Sequence, residues 1–213
     1  MQINADLSKD AVIQTGALDW SESPMAGVER KMLERDGEEV ARATSLVRYE
    51  AGSYFSEHVH DLGEEFLVLE GTFSDEHGDY PQGTYVRNPP GSKHTPFSKD
   101  GCVILVKLRQ MALSDQSEVR VDTHNADWAA LKAFDYLELY SCTYESVSMM
   151  RTHEKAIPWE IEDLGGLEFF VLEGALVNGG ARYDKGTWGR MAAQKFLDLE
   201  ILSNSLIWFK TRI

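Results

Sequence analysis

The chain has 213 residues, of which 43% are hydrophobic, so it can form one large domain or two small ones with real cores. Its formal net charge of -14 disfavours binding to nucleic acid or to an anionic membrane, because such a surface repels phosphates. No apolar run is long enough to span a bilayer, and the N-terminus has neither the basic start nor the apolar core of a secretory signal.

The first half of the chain has mainly strand and turn patterns. Residues 28–49 predict a β-hairpin, with Asp36-Gly37 as its turn because these residue types accept positive φ. "EEFLVLEG" (64–71) predicts a buried strand that ends at Gly71, and "DEHGDYPQG" (75–83) is typical of a loop. These segments indicate short strands separated by turns.

Two further strands follow, and then the main helical pattern. "GTYVRNPPG" (83–91) alternates and stops at a Pro-Pro pair, and "CVILVKLR" (102–109) is apolar on both faces. "HNADWAALKAF" (124–134) predicts a short helix that bridges the two halves. Many short strands at turn-bounded intervals favour an all-β sandwich or barrel.

The two cysteines indicate the compartment. Cys102 and Cys142 are widely separated and form no CxxC motif, which is typical of a reducing cytosol. We interpret both as small buried hydrophobic residues and expect a cytoplasmic protein.

An internal repeat divides the chain. A shift of 103 residues places "EFLVLEG" (65–71) on "EFFVLEG" (168–174). The same shift, without gaps, matches Tyr80 with Tyr183, Gly83-Thr84 with Gly186-Thr187, Arg87 with Arg190, Ile104 with Ile207, Lys107 with Lys210 and Arg109 with Arg212. We therefore predict two copies of one β module: an N-terminal arm at 1–19, a first module at 20–112, a linker at 113–127 and a second module at 128–213.

The first module holds a group of residues with metal-ligand chemistry. On a strand, His58 and His60 point to the same face, since residues i and i+2 share a side. Glu64 follows after a short bend, and His94 comes after a rigid Pro-Pro-Gly turn. Three imidazoles and one carboxylate suit Fe, Zn, Mn or Ni rather than Ca²⁺ or Mg²⁺. The formal charge of such a site, about +1, would attract an anionic or enolised ligand.

The spacing of these residues resembles the two cupin motifs. The first motif is matched by Gly52, His58, His60, Glu64 and Gly71, and the second by Gly83, Pro89, Gly91 and His94. Ser98 stands where the family has asparagine. Residues 64–97 look more narrowly like the ChrR-like branch of cupins, which includes the C-terminal domain of ChrR-type anti-sigma factors and some ring-ketone dioxygenases.

This resemblance implies two tandem jelly-roll (RmlC-like) cupin barrels joined by the short helical bridge. It also implies that His58, His60, Glu64 and His94 are the metal ligands. Glu65 is the neighbour that could be mistaken for the ligand, but adjacent strand residues face opposite sides. Tyr85 and Arg87 alternate on a strand beside the site, and the pattern does not settle whether either lines the pocket or only packs.

The second module is expected to bind no metal. The repeat places Ile161, Asp163, Leu167 and Leu197 opposite the four ligand positions, and three of these side chains cannot bind a metal. His124 and His153 lie outside the aligned positions, and we interpret them as ordinary polar residues. The second barrel would then be a degenerate, metal-free cupin.

Two functions remain open. The first is a mononuclear metal-dependent oxidoreductase of dioxygenase type that acts on a small enolisable substrate. The alternative is a non-catalytic zinc-binding sensor or regulatory module of the ChrR type, because four protein ligands can close a tetrahedral zinc shell. Sigma-factor binding is not expected, since the helical N-terminal domain with its Cys/His zinc site is absent. The expected partner is a small-molecule ligand, with no nucleic acid and no membrane, and a homodimer stays open.

Overall fold

The structure is a computed structural model that describes residues 1–38, 40–158, 165–193 and 198–212. The chain forms two compact units. The first consists of Met1–Ala5 and Asp19–Ala126, and the second of Asp6–Leu18 and Asp127–Ile213. Residues 1–19, which the sequence analysis set apart, therefore contribute to both units.

The described residues up to Asp122 form fourteen strands and a single 3-10 turn (Thr15–Ala17). In chain order they are β1 (Gln2–Ile3), β2 (Ala11–Gln14), β3 (Ser21–Glu22), β4 (Val28–Gly37), β5 (Ala41–Tyr49), β6 (Ser53–Tyr54), β7 (His58–Val59), β8 (Glu64–Asp75), β9 (Gly78–Pro81), β10 (Thr84–Asn88), β11 (Lys93–His94), β12 (Phe97–Ser98), β13 (Cys102–Leu108) and β14 (Val119–Asp122).

Nine strands follow in the described residues after Asp122. They are β15 (Ala129–Ala130), β16 (Phe134–Ser141), β17 (Glu145–Thr152), β18 (Gly166–Glu173), β19 (Ala175–Asn178), β20 (Ala181–Asp184), β21 (Thr187–Ala192), β22 (Glu200–Ile201) and β23 (Leu206–Arg212). The described residues contain no α-helix, so the predicted all-β fold of two jelly-roll barrels is confirmed.

The first unit is built on one antiparallel sheet with the order β1-β4-β5-β13-β8-β10-β14. Strand β3 pairs with the start of β4, β9 and β12 pair with the end of β8, and β6 pairs with β12. Strand β7 pairs separately with β11. Alternate residues of the central strands point inward and form the core, as the period of two requires. The buried core cluster includes Phe66, Val68, Val86, Ile104 and Val106.

The second unit has the sheet order β15-β16-β17-β23-β18-β21-β2 and a smaller sheet β20-β19-β22. Its inward residues form a separate core that includes Phe169, Val171, Ile207 and Phe209. Strand β2 adds to this sheet by pairing with β21, from Ala11 opposite Arg190 to Gln14 opposite Thr187.

The repeat predicted from the sequence is present in the strand register. In the first unit Glu65 lies opposite Arg87 on β10 and opposite Lys107 on β13. In the second unit the equivalent Glu168 lies opposite Arg190 and Lys210. The same residue types therefore occupy the same ladder positions in both units.

Two predicted turns lie elsewhere than the sequence suggested. The hairpin of β4 and β5 is confirmed, but Asp36 and Gly37 are still paired with Arg42 and Ala41, so the turn comes after Gly37. Strand β8 does not end at Gly71 but continues to Asp75. The stretch 75–83, predicted to be a loop, contains β9, which pairs back onto β8.

The predicted helix at 124–134 is wrong. Asp122 accepts hydrogen bonds from the backbone N–H of His124 at 3.0 Å and from the side chain of Asn125 at 2.7 Å. This side chain stabilises a tight turn and competes with a helical start. Short strands at Ala129–Ala130 and from Phe134 onward occupy the rest of the segment. The helical bridge therefore has to be removed from the expected architecture.

Candidate metal centre

Two short strands bring the two sequence motifs together. Strand β7 pairs with β11 so that His58 lies directly opposite His94. The backbone of His60 is also held in place. Its N–H donates to Ser92 O at 2.9 Å, and its carbonyl accepts from Gly91 N–H at 2.8 Å. The Pro-Pro-Gly turn therefore holds both motifs in register.

The three imidazole rings form a compact triangle. Their centroids are 4.8 Å apart for His58 and His60, 5.0 Å for His58 and His94, and 4.7 Å for His60 and His94. Glu64, the first residue of β8, places Oε2 3.4 Å from Nε2 of both His60 and His94. One donor atom from each of the four side chains lies within 4.8 Å of the other three.

The free nitrogen atoms of this group fit a metal ion. Nε2 of His60 and Nε2 of His94 are buried and have no hydrogen-bond partner among the described residues. A buried polar atom without a partner costs about 1–3 kcal/mol, which a ligand bond would offset. Nδ1 of His58 lies 3.0 Å from Ser56 O, and a carbonyl can only accept, so Nδ1 carries the proton and Nε2 keeps its lone pair. The donor set suits Fe, Zn, Mn or Ni.

Two residues that the sequence analysis missed hold the cluster in place. Nδ1 of His94 lies 3.0 Å from Asp75 Oδ2, an arrangement that directs Nε2 towards the other donors. The side-chain amide of Asn88 donates to Glu64 Oε2 at 3.2 Å. Asn88 lies two residues after the inward Val86 on β10, so the two-residue period of a strand could have placed Asn88 on the inner face. Asp75 was hidden in a stretch that was predicted to be a loop.

The environment shifts the two buried histidines in opposite directions. Burial lowers the pKa of His60, which favours the neutral ring with a free lone pair. Burial also acts to lower the pKa of His94, but its hydrogen bond to Asp75 and the nearby charges of Glu64, Asp75 and Glu76 raise it above its usual value. His94 is therefore the more basic of the two.

Glu65 points away from this group, as the alternation predicted. Its Oε2 accepts hydrogen bonds from the Tyr85 hydroxyl and the Arg87 guanidinium, both at 2.9 Å. Arg87 also binds Asp115 at 2.6 Å, and these side chains are fully or almost fully buried. Neither Tyr85 nor Arg87 lines the cavity described next, so both have a structural role.

A cavity of about 440 Å³ adjoins the four side chains. His58, His60 and Glu64 form part of its lining, and inward residues of β5 and β13, including Val47, Ile104 and Val106, form an apolar wall. Its volume lies within the range of about 300–1,000 Å³ that is usual for small-molecule pockets. The first unit therefore places a group able to hold a metal beside space for a small molecule.

One of the four second-unit positions that align with the donor group lies in the described residues. Leu167, opposite Glu64 in the repeat, is buried in the core at 1% exposure. Ile161, Asp163 and Leu197 lie outside the described residues. In the part of the chain that the structure describes, the cluster in the first unit is the group of His, Cys, Asp and Glu side chains that could hold a metal ion.

Solved structures with this architecture define the class of protein. One is a candidate dioxygenase from Nostoc punctiforme, with 13% identity over 96% of this chain and 82% of that chain and a TM-score of 0.76. A bacterial pirin from Escherichia coli in complex with nickel(II) has 12% identity over 95% and 98%, with a TM-score of 0.69. An oxalate decarboxylase variant from Bacillus subtilis has 10% identity over 95% and 76%, with a TM-score of 0.59. At these identities the likeness concerns the fold, which is that of the cupins.

The sequence match is narrower. Residues 8–112 match the family model of the ChrR Cupin-like domain. No curated protein sequence matches the chain. Among the described residues, no helix is long and apolar enough to cross a bilayer.

Proposed function

We propose that the first unit binds one divalent transition-metal ion through His58, His60, Glu64 and His94 and is a mononuclear metal-dependent oxidoreductase of dioxygenase type. The substrate would be a small enolisable molecule in the adjoining cavity. The observation that carries the proposal is the convergence of four donor atoms within 4.8 Å of one another beside about 440 Å³ of space.

When bound, the metal supplies Lewis acidity and, for iron or manganese, redox chemistry. The residues of the chain have other tasks. Asp75 orients His94 and fixes its tautomer, and Asn88 holds the Glu64 carboxylate. The inward side chains of β5 and β13 keep the space beside the ligands apolar, which strengthens electrostatic interactions there.

The zinc-sensor alternative uses the same four ligands in a closed tetrahedral shell. Such a shell needs no space for a substrate, whereas the three lining ligands here face a cavity of small-molecule size. This cavity is the reason to prefer catalysis. The structural likeness to a candidate dioxygenase agrees with that preference.

The ligand assignment is tested by the metal content of purified protein. We expect close to one ion per chain in the wild type and a loss of at least about tenfold in His58→Ala and His94→Ala, since each variant removes one donor from the shell. His153→Ala is the matched control, because His153 is half-exposed, pairs with Asp135 and lies in the second unit. Circular dichroism checks that all variants fold. Equal metal content in wild type and His94→Ala would contradict the assignment.

Two measurements on the metal-loaded wild-type protein distinguish catalysis from sensing. X-ray absorption should show a coordination number above four with exchangeable water, and oxygen consumption should depend on an enolisable compound from a panel of diketones and hydroxyketones. A four-coordinate zinc with no water and no oxygen consumption with iron would favour the sensor instead.

A further inference from the structure

The cavity of the first unit carries positive charge that the metal ligands do not explain. Its lining includes three arginines and two carboxylates. Arg109 forms an ion pair with Asp61, and Glu64 belongs to the proposed metal site. Nη2 of Arg35 donates to the carbonyl oxygen of Glu38, so Arg30 is the lining arginine left for a ligand.

Strand register places Arg30 on the inner face of the barrel. Arg30 on β4 lies opposite Val47 on β5, and Val47 lies opposite Ile104 on β13. Directly opposed residues of antiparallel strands point to the same side. Val68, opposite Ile104 on β8, belongs to the interior core. The side chain of Arg30 therefore lies in a row of otherwise apolar residues that faces the cavity.

Arg30 is half-buried, and one nitrogen of its guanidinium group lacks an acceptor. This atom, Nε, is buried and has no hydrogen bond among the described residues. By contrast, Arg48 on the outer face of the same hairpin pairs with Glu29 and lies 4.5 Å from the centre of the Trp20 ring. A buried guanidinium N–H without an acceptor is costly, and an anion in the cavity would supply the acceptor.

A second guanidinium adds to the positive field. Arg35, 9% exposed, also lines the cavity. Burial is the main reason that its pKa is lowered, and the positive charge of Arg30 lowers it further. Two like charges facing one apolar space repel each other unless a negative charge joins them. The same space contains the apolar walls formed by Val47, Ile104 and Phe55.

We propose that the cavity selects a small carboxylate with an apolar body, and that Arg30 binds its carboxylate group. The apolar body would lie along the inward residues of β5 and β13. The inference deepens the proposed function by naming the charge class of the substrate, and it rests on that function only for what the metal does to the bound molecule. The contact between Arg30 and the anion does not depend on the metal.

The test is calorimetric titration of the wild-type protein, metal-free and zinc-loaded, with carboxylates and their neutral amides. The pairs are butyrate and butyramide, hexanoate and hexanamide, and phenylacetate and phenylacetamide. We expect at least one acid to bind the metal-free protein about tenfold or more tightly than its amide, because a charged hydrogen bond replaces a neutral one. Arg30→Met should remove this preference, and Arg30→Lys should restore part of it.

Arg48→Met is the matched control, since it removes one positive charge from the same hairpin but none from the cavity lining. It should keep the preference for the acid. Equal binding of every acid and its amide by the wild type, or no binding of any acid, would overturn the proposal whether or not Arg30→Met folds. A preference that needs zinc and survives in Arg30→Met would also overturn it.

Failure of the proposed function has a different signature. If the four side chains bind no metal, the zinc content is low, but the metal-free protein still prefers the acid through Arg30. If Arg30 has no such role, the zinc content is unaffected and the preference is absent.

Discussion

At the scale of single residues, the proposed ligand His94 is oriented by Asp75, which lies outside the group of four donors. Asp75 Oδ2 lies 3.0 Å from its Nδ1, and the other oxygen of Asp75 accepts from the Tyr80 hydroxyl at 3.0 Å and from His77 N–H at 2.8 Å. The carboxylate is therefore held from several sides. It fixes both the ring orientation and the tautomer that exposes Nε2.

This arrangement predicts a positioning role for Asp75. Asp75→Asn should weaken zinc affinity by about 10–100-fold, because a neutral amide holds the ring less well and makes it less basic. Affinity is measured by competition with a chromophoric chelator. Asp79→Asn is the control, since Asp79 lies on the adjoining strand and accepts from Ser74 instead. Unchanged affinity in Asp75→Asn would show that Asp75 does not position the ligand.

The residues that sequence alone could identify are those with a fixed local spacing. His58, His60 and Glu64 are separated by a few residues, and a rigid Pro-Pro-Gly turn precedes His94. The structure brings the four side chains together, although their role as ligands stays a prediction. Asp75 and Arg30 could not be found in this way, because their positions beside the site depend on the pairing of strands distant in sequence.

At the scale of elements, both ends of strand β8 contribute side chains to the proposed metal site. It starts at Glu64 and ends at Asp75, so one strand carries a proposed ligand at one end and the partner of His94 at the other. Its pairing with β13 shifts in register between Val103 and Ile104, close to Gly71. Gly71 has a φ of +69°, and a side chain there would overlap the carbonyl oxygen of Gly101. The bend therefore requires glycine.

The bend can be tested by comparing two glycines of similar conformation. Gly52 has a φ of +78°, but an added Cβ would meet nothing within 4 Å. Gly52→Ala should lower the free energy of unfolding by about 1–2 kcal/mol, the cost of a left-handed alanine. Gly71→Ala should lower it by clearly more, because the backbone of β13 must also move. Urea denaturation of the metal-free proteins measures both, and equal losses would contradict a packing role at Gly71.

Strands were predicted better than the connections between them. Alternation identified β10, which is typical of a half-buried strand, and short apolar runs identified β8 and β13, which is typical of fully buried strands. The extension of β8 beyond Gly71 was missed, since glycine more often ends a strand than bends one. The helix predicted at 124–134 is wrong because the Asp122 carboxylate accepts local hydrogen bonds that stabilise a turn, and composition does not report such bonds.

At the scale of the whole molecule, the two units have the same residue types at equivalent ladder positions. The four converging donors lie in the first unit. Metal binding should therefore stabilise the first unit selectively, since an ion that binds only the folded form of a site protects that site from opening.

Hydrogen exchange measured by mass spectrometry tests this selectivity. On addition of zinc we expect slower exchange in peptides that contain β7, β8 and β11, and unchanged exchange in peptides that contain β18 and β21. His94→Ala should show no response in either unit. Equal slowing in β18 would place a metal site in the second unit and contradict the expectation that it binds none.

The residues at equivalent ladder positions have a consequence for which substitutions each unit can accept. Glu65, Arg87 and Lys107 occupy the same ladder positions as Glu168, Arg190 and Lys210, whereas Leu167 stands where the first unit has Glu64. Adjacent residues of a strand face opposite sides, so the shared ladder residues and the residues that face the donor group lie on opposite faces of the same strands. Substitutions on the inner face can therefore change what one barrel binds without altering the residues that its sheet has in common with the other.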